Sequence, residues 1–253
     1  MKSTRMKRLF TAVLSLLLLL LSGCGTSPTS ADAGYITAEG YTAEAILSYF
    51  SEVTFGSEYG GYRGTVCKWT DEVRLWLTGD FSEDEIAVLD DLLLRLNGID
   101  GFPGIVYADT EEEANFVLRF VMQGDLVDYF GGNAENASGM SSYTWKKATG
   151  EILSAHAGVA CNISPAKAKA SVICEELLQS LGLASDAYTH PESVFYEGYN
   201  ASPRPAEIDW ALITLLYHET ITPGMAYGDA MDQAAALLGI PTTEIKDEET
   251  MYG

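Results

Sequence analysis

Two adjacent carboxylates and a nearby amide are the side chains in this sequence best placed to do chemistry. Glu175, Glu176 and Gln179 fall on one side of a helix, and the helix carries no charge between positions 177 and 183. Two close carboxylates can act as a general acid–base pair or help to hold a cation. A solvated or structural polar face is the ordinary alternative. The other side of the helix is apolar at three- and four-residue steps, through Ile173, Cys174, Leu177, Leu178 and Leu181.

The order of residues on this helix resembles H-E-x-x-H-x-x-G, the zinc helix of metzincin-type metallopeptidases. Here the frame reads E-E-x-x-Q-x-x-G, with Gly182 at the glycine that ends the helix in a sharp turn. Both histidine positions are changed, to Glu175 and Gln179. The resemblance implies that Glu176 would be the catalytic base. It also implies metal ligands at Glu175, Gln179 and Asp186.

A longer stretch, about residues 160–226, is similar to a bacterial family of zincin-like proteins called domain of unknown function 2927. The shared pattern comprises E-E-x-x-Q-x-x-G-L, a nearby Asp, then S-x-F, L-Y and P-G-M, found here at residues 175–183, 186, 193–195, 216–217 and 223–225. The resemblance implies an α/β (α+β) zincin-like fold, with a mixed twisted sheet over the central motif-bearing helix and a mostly helical C-terminal subdomain. It makes residues 152–159 the edge strand beside a substrate cleft. It places these residues at the cleft or its turn: Gly182, Ser193, Phe195 and Tyr217.

Ligand chemistry argues against a metal at this helix. Zinc prefers imidazole and thiolate, and glutamine is a poor ligand for it. An all-oxygen set suits Ca²⁺ or Mg²⁺, but three side chains are few for calcium. We therefore expect no cofactor, with zinc or another divalent metal as the alternative. The three histidines, His156, His190 and His218, are expected to be structural or exposed.

The N-terminus has the features of a bacterial lipoprotein signal. Four basic residues precede an apolar run from 9 to 21, which ends in the lipobox-like sequence L-S-G-C at Cys24. We predict a signal peptide over 1–23, lipidation at Cys24, and a flexible tether over 24–34. The protein would then be anchored to the cell membrane on its extracytoplasmic face. Of the remaining cysteines, Cys161 and Cys174 either form a disulfide or pack as buried thiols.

The composition indicates a globular and strongly acidic chain. Of its 253 residues 47% are hydrophobic and 20% charged, with a net charge of -21 and a pI of about 4.3. Such a charge disfavours nucleic acid and anionic lipid surfaces as direct partners. We expect one domain over 35–253, with a sheet-bearing N-terminal subdomain (35–182) and a C-terminal subdomain with an acidic tail (183–253).

Patterns along the chain predict the elements that hold the motif. Strands are indicated at 73–77, 104–107 and 115–121, and hairpin arms at 142–147 and 151–163. Helices are indicated from Thr42 to 53, from a capping box at Ser82 to 96, and at 207–217 and 229–238. For the central helix the sequence predicts Ser164 as N-cap and Pro165 as the first helical residue.

Three functions are compatible with these features. The first is a membrane-anchored lipoprotein whose metallopeptidase-like domain is a non-catalytic binding or assembly module for a peptide or envelope protein. The second is a metallopeptidase or other hydrolase with an atypical metal site. In the third, the polar face of the helix is an interface with another envelope protein.

Overall fold

The computed structural model of the chain describes residues 34–56, 64–198 and 202–241. The predicted signal peptide, Cys24, the tether up to residue 33 and the acidic tail lie outside the described residues, so the predictions about them stay predictions. Within the described ranges, no helix is both long enough and apolar enough to cross a membrane.

The described residues form a five-stranded mixed sheet and six α-helices, which confirms the α/β class. The strands are β1 (Val73–Gly79), β2 (Ile105–Tyr107), β3 (Phe116–Val121), β4 (Gly139–Trp145) and β5 (Ile152–Ala160). Their order across the sheet is β2-β1-β3-β5-β4. All neighbours run parallel except β4 and β5, which form the predicted antiparallel hairpin.

The edge strand beside the central helix is β4, and not the segment 152–159 that the resemblance suggested. Segment 152–159 belongs to β5, which pairs with β3 on one side and with β4 on the other. Hydrogen bonds on both sides place β5 inside the sheet. The first arm of the hairpin is therefore left at the edge.

The helices are α1 (Ala43–Phe55), α2 (Glu83–Leu96), α3 (Val127–Phe130), α4 (Ala166–Ser180), α5 (Glu207–Tyr217) and α6 (Tyr227–Leu237). Capping interactions explain where two of these helices, α1 and α2, begin. The Thr42 hydroxyl accepts a hydrogen bond from Ala45 N at 3.2 Å, and Ser82 N donates to the Glu85 carboxylate at 2.6 Å. Helix α4 begins one residue later than predicted, because Pro165 has extended backbone angles and is itself the N-cap residue.

Helix α4 is the central helix, and it packs on β4, β5 and α2. Its predicted apolar side is confirmed, since all five of those side chains are at most 1% exposed. The polar side differs from an ordinary solvated face. Glu176 and Gln179 are each only 5% exposed, because the edge strand β4 covers them.

Candidate functional site

A cavity of about 270 Å³ lies where α4, the edge strand β4 and the chain after α4 meet. It brings together all four residues that the motif predicted as metal ligands or catalytic base. Its lining also includes an exposed carboxylate, Glu197, and small residues of the edge strand. The residues that line it are Ala137, Ser138, Gly139, Met140, Ser141, Val172, Glu175, Glu176, Gln179, Asp186 and Glu197.

Gln179 connects the three walls of this cavity. Its side-chain oxygen accepts a hydrogen bond from the Ser141 hydroxyl of β4 at 2.9 Å. Its side-chain nitrogen donates to Asp186 Oδ1 at 2.6 Å. The amide of Gln179 therefore uses both of its polar ends to join the edge strand to the segment after the helix.

Glu176 lies beneath the edge strand at Gly139, where the strand has no side chain. A Cβ at Gly139 would lie 2.3 Å from Glu176 Oε1 and 2.5 Å from Val172 Cγ1. A side chain at position 139 would have to displace the side chains of Glu176 and Val172, so the glycine lets β4 pass directly over the carboxylate. Glu175, one residue earlier on α4, is half-buried and lines the same cavity.

Gly182 turns the chain sharply at the end of α4, as its position in the motif predicted. Its φ is +114°, a conformation that L-residues with side chains rarely adopt. A Cβ there would also lie 2.2 Å from the carbonyl oxygen of Cys67. This turn sends the chain back past α4, which brings Asp186 within hydrogen-bonding distance of Gln179.

The segment 186–197 is held in place by a buried carboxylate, Asp209 on α5. Asp209 accepts hydrogen bonds from the Ser193 hydroxyl at 2.5 Å, from Val194 N at 3.1 Å and from Ala206 N at 2.8 Å. Burial raises the pKa of Asp209 to about 6, although these hydrogen bonds act in the opposite direction. The Ser193 hydroxyl also accepts from the Tyr49 hydroxyl at 2.7 Å, so the segment is tied to α1 as well.

The four residues predicted at the cleft or its turn support the cavity without lining it. Phe195 and Tyr217 are fully buried in the core, and Ser193 is fully buried against Asp209. The Tyr217 hydroxyl donates to Leu181 O at 2.8 Å, next to the Gly182 turn. Their contribution is therefore to position the segment that carries Asp186.

The two cysteines considered for a disulfide are free thiols in the structure, so the buried-thiol alternative describes them better. Cys174 is buried on the apolar side of α4, where burial raises the pKa of its thiol to about 12. Cys161 is half-buried, and its sulfur lies 3.7 Å from that of Met122.

The donor set at the motif does not fit zinc. It offers carboxylates and an amide but no imidazole or thiolate, and the amide is already bonded to Asp186 and Ser141. Across the described ranges, no three His, Cys, Asp or Glu side chains lie close enough together to hold a metal ion.

The sequence patterns did not indicate three residues of this cavity, Gly139, Ser141 and Glu197. Gly139 and Ser141 lie in a stretch of small polar residues with weak strand propensity, and no local pattern indicates that it crosses α4. Glu197 follows the S-x-F part of the pattern, where nothing local indicates a return to the helix, and the bridge between Ala187 and Tyr196 brings it back to the cavity. Only the unusual concentration of Gly and Ser over 138–142 could have signalled a close backbone approach.

The backbone of β4 presents polar groups along its outer side. Ala160 N donates to Ser138 O at 2.9 Å, so in the alternating antiparallel pattern the Ser138 backbone faces β5. The N–H and C=O groups of Gly139 and Ser141 must then point away from β5. In the part of the chain that the structure describes, no strand pairs with this outer side of β4.

Comparison with known protein families gave a match that covers most of the chain. A family model described as "Protein of unknown function (DUF2927)" matches residues 43–236, which contain the whole cavity. A search of curated proteins found no match.

Proposed function

Because the chain belongs to the DUF2927 family of proteins of unknown function, we propose that its function is to bind an extended peptide segment beside β4, without a metal and without cleaving it. The domain is zincin-like in this proposal, with a mixed sheet under a motif-bearing helix and an edge strand beside the cleft. The predicted lipid anchor at Cys24 would hold this module at the extracytoplasmic face of the membrane. Its partner would be a peptide or a segment of an envelope protein.

The observation that carries the proposal is the hydrogen-bond chain from Ser141 through Gln179 to Asp186. Gln179 and Asp186, which occupy two of the three implied ligand positions, therefore have a structural role in this chain of hydrogen bonds. It also fixes the edge strand next to the cavity, with the outer backbone groups of Gly139 and Ser141 directed away from the sheet. An extended peptide can add to such an edge as a further strand through main-chain hydrogen bonds.

The hydrolase alternative retains one supporting observation. Glu176, at the position of the general base, lines the cavity together with three other carboxylates. If the protein is such a hydrolase, it should bind a stoichiometric metal. The Glu175→Ala variant should then lose the metal, and the Glu176→Gln variant should lose activity.

Metal content and peptide binding of the full chain test the two functions together. We would purify the protein without chelators, measure bound metals by elemental mass spectrometry, and screen a fluorescent peptide library for binding and for cleavage. We expect no stoichiometric metal, saturable binding that EDTA does not change, and intact peptides. Stoichiometric metal together with cleavage that Glu176→Gln abolishes would refute the proposal.

A pair of variants at Ser141 tests whether the edge of β4 is the binding element. Proline removes the N–H group that points outward, and edge strands tolerate proline at such positions. Ser141→Ala removes only the hydroxyl and serves as the matched control. We expect Ser141→Ala to weaken peptide binding, because it loses the hydrogen bond to Gln179, and Ser141→Pro to abolish it, because it also loses the outward N–H group. Equal binding by the two variants would rule out this edge as the site.

A further inference from the structure

The cavity beside β4 is strongly acidic. Four of the residues that line it are carboxylates, Glu175, Glu176, Asp186 and Glu197, and its described lining contains no Lys, Arg or His. From this charge and from the open edge of β4 we propose that the cavity receives the Lys or Arg side chain of an extended peptide bound along that edge. The inference rests on the proposed function and adds the chemical class of the ligand.

The direction of the side chains on β4 supports this occupant. The Ser141 hydroxyl reaches Gln179, so the side chains of Gly139 and Ser141 face α4 and the cavity. In a sheet, residues directly opposite one another on neighbouring strands point to the same face. The peptide residue opposite Ser141 would therefore extend its side chain over α4, toward Glu175 and Glu176.

The arrangement of the carboxylates favours an organic cation over a metal ion. They do not converge in a group of three or more close enough to coordinate one ion. A guanidinium or ammonium group on a long side chain can instead contact carboxylates that lie apart, through several donors. The same charge excludes acidic ligands. The net charge of -21 would also attract a basic partner over a longer range.

The test compares peptides that differ in one central residue. Capped hexapeptides with a central Lys, Arg, norleucine or Glu would be titrated with the full chain and followed by fluorescence anisotropy. We expect Lys and Arg to bind about tenfold more tightly than norleucine at low ionic strength, and this advantage to shrink as salt is added. Peptides N-methylated on both sides of the Lys should lose binding, because they cannot add to the strand edge.

Charge-neutralising variants test which carboxylates cause the preference for a central Lys. Glu175→Gln and Glu197→Gln should each reduce the Lys-over-norleucine ratio by about twofold to fivefold. Glu112→Gln removes the same charge from an exposed turn outside the cavity, and we expect it to leave the ratio unchanged. A ratio that falls equally in all three variants would show a general charge effect and overturn the proposal.

Three further outcomes distinguish a failure of this inference from a failure of the proposed function. If peptides bind with equal affinity whichever residue is central, the cationic preference is wrong and the peptide-binding function stands. If no peptide binds, both are wrong. If lysine amide alone competes as well as the Lys peptide, the edge strand contributes nothing and an extended peptide is not the occupant.

Discussion

Replacing Gln179 by Glu should destabilise the protein in a way that acid reverses. The substitution keeps the size and shape of the side chain but exchanges the amide donor for a second carboxylate. Asp186 Oδ1 lies 2.6 Å from the nitrogen that would be replaced. Two ionised carboxylates at that distance repel each other, so the pair must share a proton or move apart.

The expected size of the effect follows from the two hydrogen bonds of Gln179. The bond to Asp186 involves a charged acceptor, and such bonds contribute about 1.5–3 kcal/mol to stability. The repulsion between the two carboxylates adds to this loss. We expect the free energy of unfolding of Gln179→Glu to be about 2–4 kcal/mol below that of the wild type at a pH near 8.

Lowering the pH should restore most of the stability that Gln179→Glu loses. In the folded state the introduced carboxyl group and Asp186 share a proton. The pKa of this pair is therefore higher in the folded state than in the unfolded chain. The folded state then binds more protons, and the stability of the variant relative to wild type rises as the pH falls through that raised pKa. At a pH near 5.5, a protonated carboxyl group can donate to its neighbour as the amide does.

Urea unfolding followed by tryptophan fluorescence measures the effect at the two pH values. Asp209, with a pKa of about 6, titrates in the same range in both proteins, so the difference between variant and wild type cancels it. Gln179→Leu is the control, since it loses both hydrogen bonds without adding a titratable group, and its deficit should be the same at both pH values. A Gln179→Glu protein as stable as wild type near pH 8, or equally impaired at both pH values, would refute this reasoning.

Three other substitutions test the turn, a buried lysine and the anchor. Gly182→Ala should lower the free energy of unfolding by at least about 2 kcal/mol, from backbone strain and the clash with Cys67 O, whereas Gly228→Ala, with open space around it, should not. Lys68 is 7% exposed, and burial lowers its pKa to about 8, so the folded state binds fewer protons than the unfolded chain between about pH 8 and 10.5. The stability of the wild type relative to Lys68→Met should therefore rise over that interval in denaturant titrations. The opposing effect of the buried Cys174 thiol, whose pKa is raised, is the same in both proteins and cancels in this difference. Cys24→Ala should release the protein from the membrane fraction or block its processing, as fractionation and immunoblotting would show, and unchanged size and association would contradict lipidation.

Local sequence signals predicted most of the elements. The helix at residues 207–217 has the predicted bounds, and the capping signals at Thr42 and Ser82 are present in the structure. These predictions are correct because capping depends on residues that are only a few positions apart in the sequence. Gly182 was identified for the same reason, since its position after a periodic apolar run requires a positive φ.

Features that depend on distant pairing could not be predicted in the same way. The order of strands is decided by hydrogen bonds between segments far apart in sequence, so the position of β5 inside the sheet was missed. Glu176 and Gln179 have the spacing of a solvated face, yet β4 covers them. A helix pattern shows which side is polar, but it does not show whether a second layer lies over that side.

The double role of Gln179 also bears on how readily this cavity can change by mutation. A histidine at position 179 would lose the hydrogen bonds to Ser141 and Asp186 before a second histidine at position 175 completed a metal-binding pair. The first substitution would therefore carry a cost in stability with no gain in affinity for a metal. Single substitutions toward metal binding would therefore lower stability before a pair of ligands is complete, whereas a substitution at the exposed Glu197 would change the charge of the cavity without breaking these hydrogen bonds.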